Sequence, residues 1–157
     1  MRASSRFALT TASLLGSMLW TGSAKAATLY FDAAGGNQGW DQLTTTAWST
    51  ASGGPYNVTW SAGLGTDAVF EGSGGSVNIQ AVAPASVNSL VFGTSGAQSY
   101  AVDGAALDLA PAATITTTTN ATINSAITGA GTSLIKNGAG TLTFSGAKTY
   151  TGTTTVD

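Results

Sequence analysis

The sequence predicts an all-β protein, a parallel β-helix (β-solenoid) with an aromatic-rich N-terminal cap. Three observations favour this fold: apolar residues recur at every second position, short glycine-rich turns separate the apolar runs, and Gly, Ala, Ser and Thr dominate the composition. An antiparallel β-sandwich is the alternative, because Asp103-Gly104 and Asn137-Gly138 are strong hairpin signals. The smallness of the inward residues favours the narrow interior of a stacked coil.

The period-two alternation is clearest in the C-terminal half. Val77 and Ile79 alternate with polar residues, and Leu142 and Phe144 alternate with threonine and serine. No long stretch of this half has apolar residues at the spacing of a helix, and its abundant Thr, Val and Gly disfavour a helix. We therefore expect the mature chain to consist almost entirely of strands and turns.

Composition divides the chain into three sections. Residues 1–26 combine arginines, a mostly apolar run and the small residues of Ala24-Lys25-Ala26, a pattern typical of a signal peptide. The apolar run is too short and too rich in hydroxyl groups for a stable membrane span. Residues 27–76 hold most of the remaining aromatic side chains and are predicted to form the cap, and residues 77–157 are predicted to form the solenoid section.

The residue types exclude most kinds of catalytic site. The 157 residues include no cysteine and no histidine, which removes disulfides, thiolate metal ligands and the usual general base. We expect no enzyme activity, no cofactor and no bound metal. Only 5 of the residues are Lys or Arg against 7 Asp or Glu, so the chain lacks the positive charge that a nucleic-acid partner requires.

Acidic and aromatic residues supply the remaining functional candidates. Asp67 with Glu71, or Asp103 with Asp108, would be the carboxylate pair of a carbohydrate-cleaving enzyme, but we interpret them as turn and strand-end residues. Three tryptophans are candidates for stacking on sugar rings, although we expect them to fill the cap instead. These candidates are Trp40, Trp48 and Trp60.

The last section contains a recognisable repeat. Its characteristic residues are Lys136, Gly138, Gly140, Thr141, Leu142, Gly146, Tyr150 and Gly152. With these residues, the segment 134–156 closely resembles the autotransporter-associated β-strand repeat, also called the passenger-associated transport repeat. The segment departs from the usual pattern at Phe144, Lys148 and Thr153, where Leu, Asn and Gly are usual. Lys148 in particular would give the strand edge a charge.

The resemblance implies both a fold and a setting. It implies a single-stranded, right-handed parallel β-helix in the passenger of an autotransporter, exported to the cell surface of a Gram-negative bacterium. It also implies an outer-membrane β-barrel translocator in the full-length protein, with an extracellular glycan or a host surface as further partners in adhesion. Because the family continues with more strands, we expect a truncated passenger with a structural role in surface display or export. A carbohydrate-binding or carbohydrate-cleaving β-helix is the alternative.

Overall fold

The computed structural model describes residues 27–34, 38–41, 44–60, 65–80, 84–94, 98–129 and 131–157. The predicted signal peptide lies outside these residues. Thirteen strands and no helix are found in the described part of the chain. The strands are β1 (Ala27–Phe31), β2 (Gln38–Trp40), β3 (Trp48–Ser49), β4 (Thr66–Phe70), β5 (Gly75–Ile79), β6 (Ala85–Phe92), β7 (Tyr100–Gly104), β8 (Leu107–Thr117), β9 (Ala121–Ile123), β10 (Ile127–Thr128), β11 (Leu134–Asn137), β12 (Leu142–Phe144) and β13 (Thr154–Val156).

The strands form two sheets, which the chain visits in turn. The larger sheet has the order β13-β11-β8-β6-β4-β1-β3, with β10 also paired to β8, and the smaller sheet has the order β12-β9-β7-β5-β2. Sequential strands thus lie mostly in different sheets, while the strands in the middle of each sheet pair with counterparts one turn earlier and one turn later. This alternation is the topology of a β-solenoid, and it confirms the predicted fold class.

The register gives the length of each turn. From β4 onwards the paired residues are offset by 20–25 positions, as in Asp67 beside Ser89 and Leu134 beside Thr154. The first turn is longer, since Ala27 lies beside Thr66. Four regular turns therefore follow one extended turn, and the extra chain of the first turn contains β3 and the loop after it.

The antiparallel sandwich is not the fold of this chain, because all but one of the described strand pairs are parallel. The two dipeptides that signal hairpins are corners between the sheets instead. Gly104 and Gly138 have φ angles of 93° and 85°, which a tight corner needs and which other residues rarely adopt. The two dipeptides thus predict the position of a sharp turn correctly, but they do not determine whether the next strand pairs with the previous one or joins the other sheet.

The interior of the column is one continuous core. Its members change in size along the column: aromatic rings fill the first turns, and Ala, Val, Ile and Leu fill the later ones. Phe70 and Phe92 stack at 4.7 Å between ring centroids, which links the first turns to the next. No helix in the described part of the chain is long and apolar enough to cross a membrane.

Candidate functional site

The last turn of the column presents a candidate assembly surface, which we call the open end. It consists of β11, β12 and β13 together with the corners between them. β13 is the outermost strand of the larger sheet, and β12 is the outermost strand of the smaller sheet. Within the described residues each has a paired neighbour on one side only, so both present backbone donors and acceptors in the direction of a further turn.

The apolar side chains of the open end are incompletely covered. Leu142 and Phe144 pack against the core but remain half-buried, whereas Leu134 on β11 is fully buried. Val156 on β13 is 72% exposed. Together these side chains line a groove of about 410 Å³, to which Lys136 also contributes. The groove is therefore lined largely by apolar side chains of the kind that are buried in the earlier turns.

The glycines of the repeat permit close contact between turns. A Cβ atom on Gly140, Gly146 or Gly152 would fall inside van der Waals distance of a backbone carbonyl oxygen in the turn below. Gly138 combines such a contact, with the Thr117 carbonyl, with a positive φ. The fixed glycine spacing of the repeat therefore has a steric cause, because a side chain at these positions would lift one turn away from the next.

Polar residues of the repeat fasten the same turn. The Thr141 amide donates to Oδ1 of Asn120 at 3.2 Å, and the Tyr150 hydroxyl lies 2.8 Å from the Thr154 hydroxyl. Lys136 donates through Nζ to the Gly138 carbonyl. All eight predicted repeat residues thus lie in the last turn or in the segment leading to β13.

Lys148 adds a positive charge to the open end. Its Nζ donates to the Phe144 carbonyl at 3.0 Å and lies 5.6 Å from the centroid of the Phe144 ring. Residue 148 also forms a bridge with Ile127 in the turn below. A lysine at this position therefore pairs with the preceding turn through its backbone, although it cannot build a ladder of side-chain amides.

The opposite end of the column is closed by an aromatic cluster. Trp40, Trp48 and Trp60 have no exposed surface, and their ring centroids lie 4.5–5.1 Å apart. Within the described residues no hydrogen-bond partner meets their indole N–H groups, so ring packing holds them in place. This burial agrees with the expectation that the three rings pack inside the protein. With no indole face exposed, the structure does not favour the glycan-stacking platform.

The acidic residues serve as hydrogen-bond acceptors between segments. Asp67 accepts from Asn88 Nδ2 and Ser89 Oγ, both at 2.7 Å. Asp103 accepts from Ser76 Oγ at 2.7 Å and from Asn124 Nδ2 at 2.6 Å, which ties three turns of the smaller sheet together. The interpretation of these carboxylates as structural rather than catalytic agrees with these contacts.

Glu71 is the residue whose role the sequence reasoning missed. Its carboxylate accepts from Ser52 Oγ at 2.6 Å, from the Gly53 amide at 2.7 Å and from the Tyr56 hydroxyl at 2.9 Å, and the residue is 5% exposed. Burial and the adjoining Glu71 charge raise the pKa of Tyr56 above its usual range. Because the three donors lie 15–19 positions upstream in a loop, no local sequence pattern marks the contact.

A second tyrosine supports Glu71 from the interior. The Tyr100 hydroxyl donates to the Glu71 carbonyl at 2.6 Å and accepts from the Ala33 amide at 3.3 Å. Burial raises the pKa of Tyr100 to about 12, and the nearby charges of Asp32 and Glu71 act in the same direction. The phenol therefore keeps its proton, and its role as a donor, to a higher pH than an exposed tyrosine does.

Comparison with known proteins finds a family match in the segment that forms the open end. The family model of the passenger-associated-transport-repeat matches residues 134–157, the segment that forms the last turn. The chain carries a passenger-associated-transport repeat. It is also 34% identical over 148 residues to the adhesin BmaC autotransporter of Brucella suis biovar 1 (strain 1330). That match covers 87% of this chain but only 4% of the length of the adhesin.

No solved structure matches the chain significantly. The passenger repeat thus lies at the open end of the column, and the similarity to the autotransporter adhesin extends back through most of the capped end.

Proposed function

We propose that this chain is a non-catalytic, structural segment of an autotransporter passenger. In this proposal the segment begins a column of stacked turns, and further turns of the full-length protein continue the column from the open end. The observation that carries the proposal is the difference between the two ends: an aromatic cluster closes the first turn, whereas the passenger repeat leaves half-buried Leu142 and Phe144 and an exposed Val156 on the last.

The proposed setting is the bacterial cell surface. Export would be directed by the signal peptide predicted at residues 1–26, and the outer-membrane translocator would belong to the full-length protein. Stacking of one turn after another on the outer side of the membrane would favour outward movement of the chain, because each new turn buries apolar surface. The relative is named an adhesin, which makes a bacterial or host surface the setting in which such a column would serve.

The absence of a catalytic role is part of this proposal. The chain has no histidine or cysteine, and the carboxylates of Asp67, Glu71 and Asp103 accept hydrogen bonds from neighbouring segments. A residue engaged in this way is poorly placed to exchange protons with a substrate. The carbohydrate-cleaving alternative would need a carboxylate pair free to act on a substrate.

Extension of the column by one turn tests the proposal. Residues 138–157 would be repeated directly after Asp157, because β13 already occupies the place of β11 in the next turn, with Thr154 beside Leu134. The second Leu142 and Phe144 would then cover the first pair. We expect the free energy of unfolding to rise by about 1–3 kcal/mol, measured by urea denaturation, since apolar burial contributes this much for a few half-covered side chains.

A matched control separates stacking from added length. In the control, the added copies of Leu142 and Phe144 are both replaced by serine. Hydrogen exchange at β12 and β13 should slow in the extended chain and not in the control. Equal exchange and equal stability in the two extended chains would refute the proposal.

A further inference from the structure

The extended first turn contains an antiparallel element at the edge of a parallel sheet. β3 pairs with the last two residues of β1, with Ser49 beside Tyr30 and Trp48 beside Phe31. After a loop the chain returns, and Val58 pairs antiparallel with Trp48 through hydrogen bonds of 3.1 and 2.8 Å. Residues 48–58 therefore form a hairpin, which we call the edge hairpin.

The edge hairpin ends the larger sheet, because each successive strand towards this edge is shorter than the one before it. β1 has five residues, β3 has two, and the returning segment contributes one bridge at Val58. Pro55 precedes this bridge and has no amide hydrogen to offer a neighbour. Sheet edges are protected from pairing with another chain by short strands and by proline, and the edge hairpin has both features.

A buried carboxylate fixes the edge hairpin to the next turn. Ser52, Gly53 and Tyr56 lie in the hairpin loop, and all three donate to Glu71, which follows β4. The backbone of Glu71 is itself held, because its amide donates to the Phe31 carbonyl at 2.8 Å and its carbonyl accepts from Tyr100. The loop is thus attached to a rigid point of the core.

We propose that the edge hairpin is a strap that blocks the β1 edge at Tyr30 and Phe31, and that Glu71 is its clamp. The strap keeps a second copy of this chain from pairing with β1, so that strands are added to the column at the open end alone. The direction of growth rests on the proposed function, whereas the blocking of β1 does not. Loss of the clamp should release the hairpin and allow two copies to associate through their first turns.

The test compares two carboxylates in the chain from Ala27 onwards. Glu71→Ala removes the clamp, and Asp67→Ala removes a carboxylate that also accepts two side-chain hydrogen bonds but does not contact the hairpin. We expect Glu71→Ala to raise amide exchange at Trp48 and Val58 at least tenfold relative to Asp67→Ala. Sedimentation velocity should show a dimer that increases with concentration for Glu71→Ala.

The contact face of that dimer can be assigned because the chain contains no cysteine. A cysteine at Thr28 on β1 reports association through the first turns, and a cysteine at the exposed Thr155 on β13 reports association through the open end. We expect disulfide crosslinks in Glu71→Ala from Thr28→Cys. Crosslinks from Thr155→Cys alone, or hairpin exchange as slow as in Asp67→Ala, would overturn the proposal.

A milder variant decides the question if Glu71→Ala does not fold. Tyr56→Phe removes one of the three donors and keeps the ring, so the core should remain intact, as checked by near-ultraviolet circular dichroism. We expect a smaller but measurable rise in exchange at Val58 and weak crosslinking through Thr28→Cys. Exchange and crosslinking identical to those of the unmodified chain would refute the clamp. Failure of the extension experiment at the open end would leave these outcomes unaffected.

Discussion

The two ends of the column solve the same problem in opposite ways. Within the described residues, the first and the last turn each have a neighbouring turn on one side only. The first turn is closed by buried aromatic rings and an antiparallel hairpin, whereas the last turn keeps parallel edge strands and a partly exposed apolar groove. At the closed end large side chains and a change of strand direction occur together, and the Thr- and Gly-rich repeat has neither feature.

The largest effect on the free energy of unfolding should come from replacing a phenylalanine by alanine, a change that can be made at each end of the column. Phe70→Ala removes a fully buried ring that contacts Trp48, Phe92 and other rings of the cluster, and it should cost about 3–5 kcal/mol. Phe144→Ala removes a half-buried ring and should cost about 1 kcal/mol. Urea unfolding followed by circular dichroism measures both. Equal losses would mean that the two ends are equally well packed.

A smaller effect is expected from glycine substitution. Gly140→Ala places a methyl group against the Thr119 carbonyl, so the last turn should separate from the turn below, with faster amide exchange in β12 and β13 by tenfold or more. Gly65→Ala is the matched control, because open space surrounds that position and its φ is ordinary. The control should be neutral or stabilising by about 0.5 kcal/mol. If both variants behave alike, contact between turns is not what the repeat glycine serves.

The smallest effect concerns pH at the closed end. The pKa of Tyr100 is raised from 10.0 to about 12, so on raising the pH the unfolded chain loses its phenolic proton first. The stabilisation is fully present below pH 10 and is lost as the pH rises towards about 12. Tyr100→Phe should flatten this alkaline loss of stability, followed by tryptophan fluorescence of the closed end. An unchanged pH profile would show that Tyr100 does not couple to folding.

Much of the fold could be predicted from the sequence. The period of two, the glycine corners and the small inward residues predict a solenoid because a narrow interior restricts both side-chain size and turn geometry. The repeat was identified by its resemblance to a known family, and the structure gives a steric reason for its glycines, since a side chain at Gly140 or Gly152 would meet backbone atoms. The alternation of Leu142 and Phe144 with polar residues agrees with their packing against the core.

Long-range contacts could not be predicted in this way. The strand β3 has only two residues, and the loop that follows it donates hydrogen bonds to Glu71, which lies 18 positions beyond Gly53 in the sequence. Thr117 and Thr132 are fully buried although threonine is a polar residue. Their hydroxyls donate to the carbonyls of Gly140 and Leu109 in neighbouring turns, which satisfies the polar group inside the column.

The similar length of the later turns has a genetic consequence. Since Leu134 lies beside Thr154, an offset of 20 positions, and Ala121 lies beside Leu142, an offset of 21 positions, a tandem duplication of one repeat unit in the coding sequence would keep the reading frame and place the added strands close to register with those before them. Each such duplication would lengthen the molecule by about 4.8 Å, the spacing between paired strands. The length of the column can therefore increase in small increments, without redesign of the first turns.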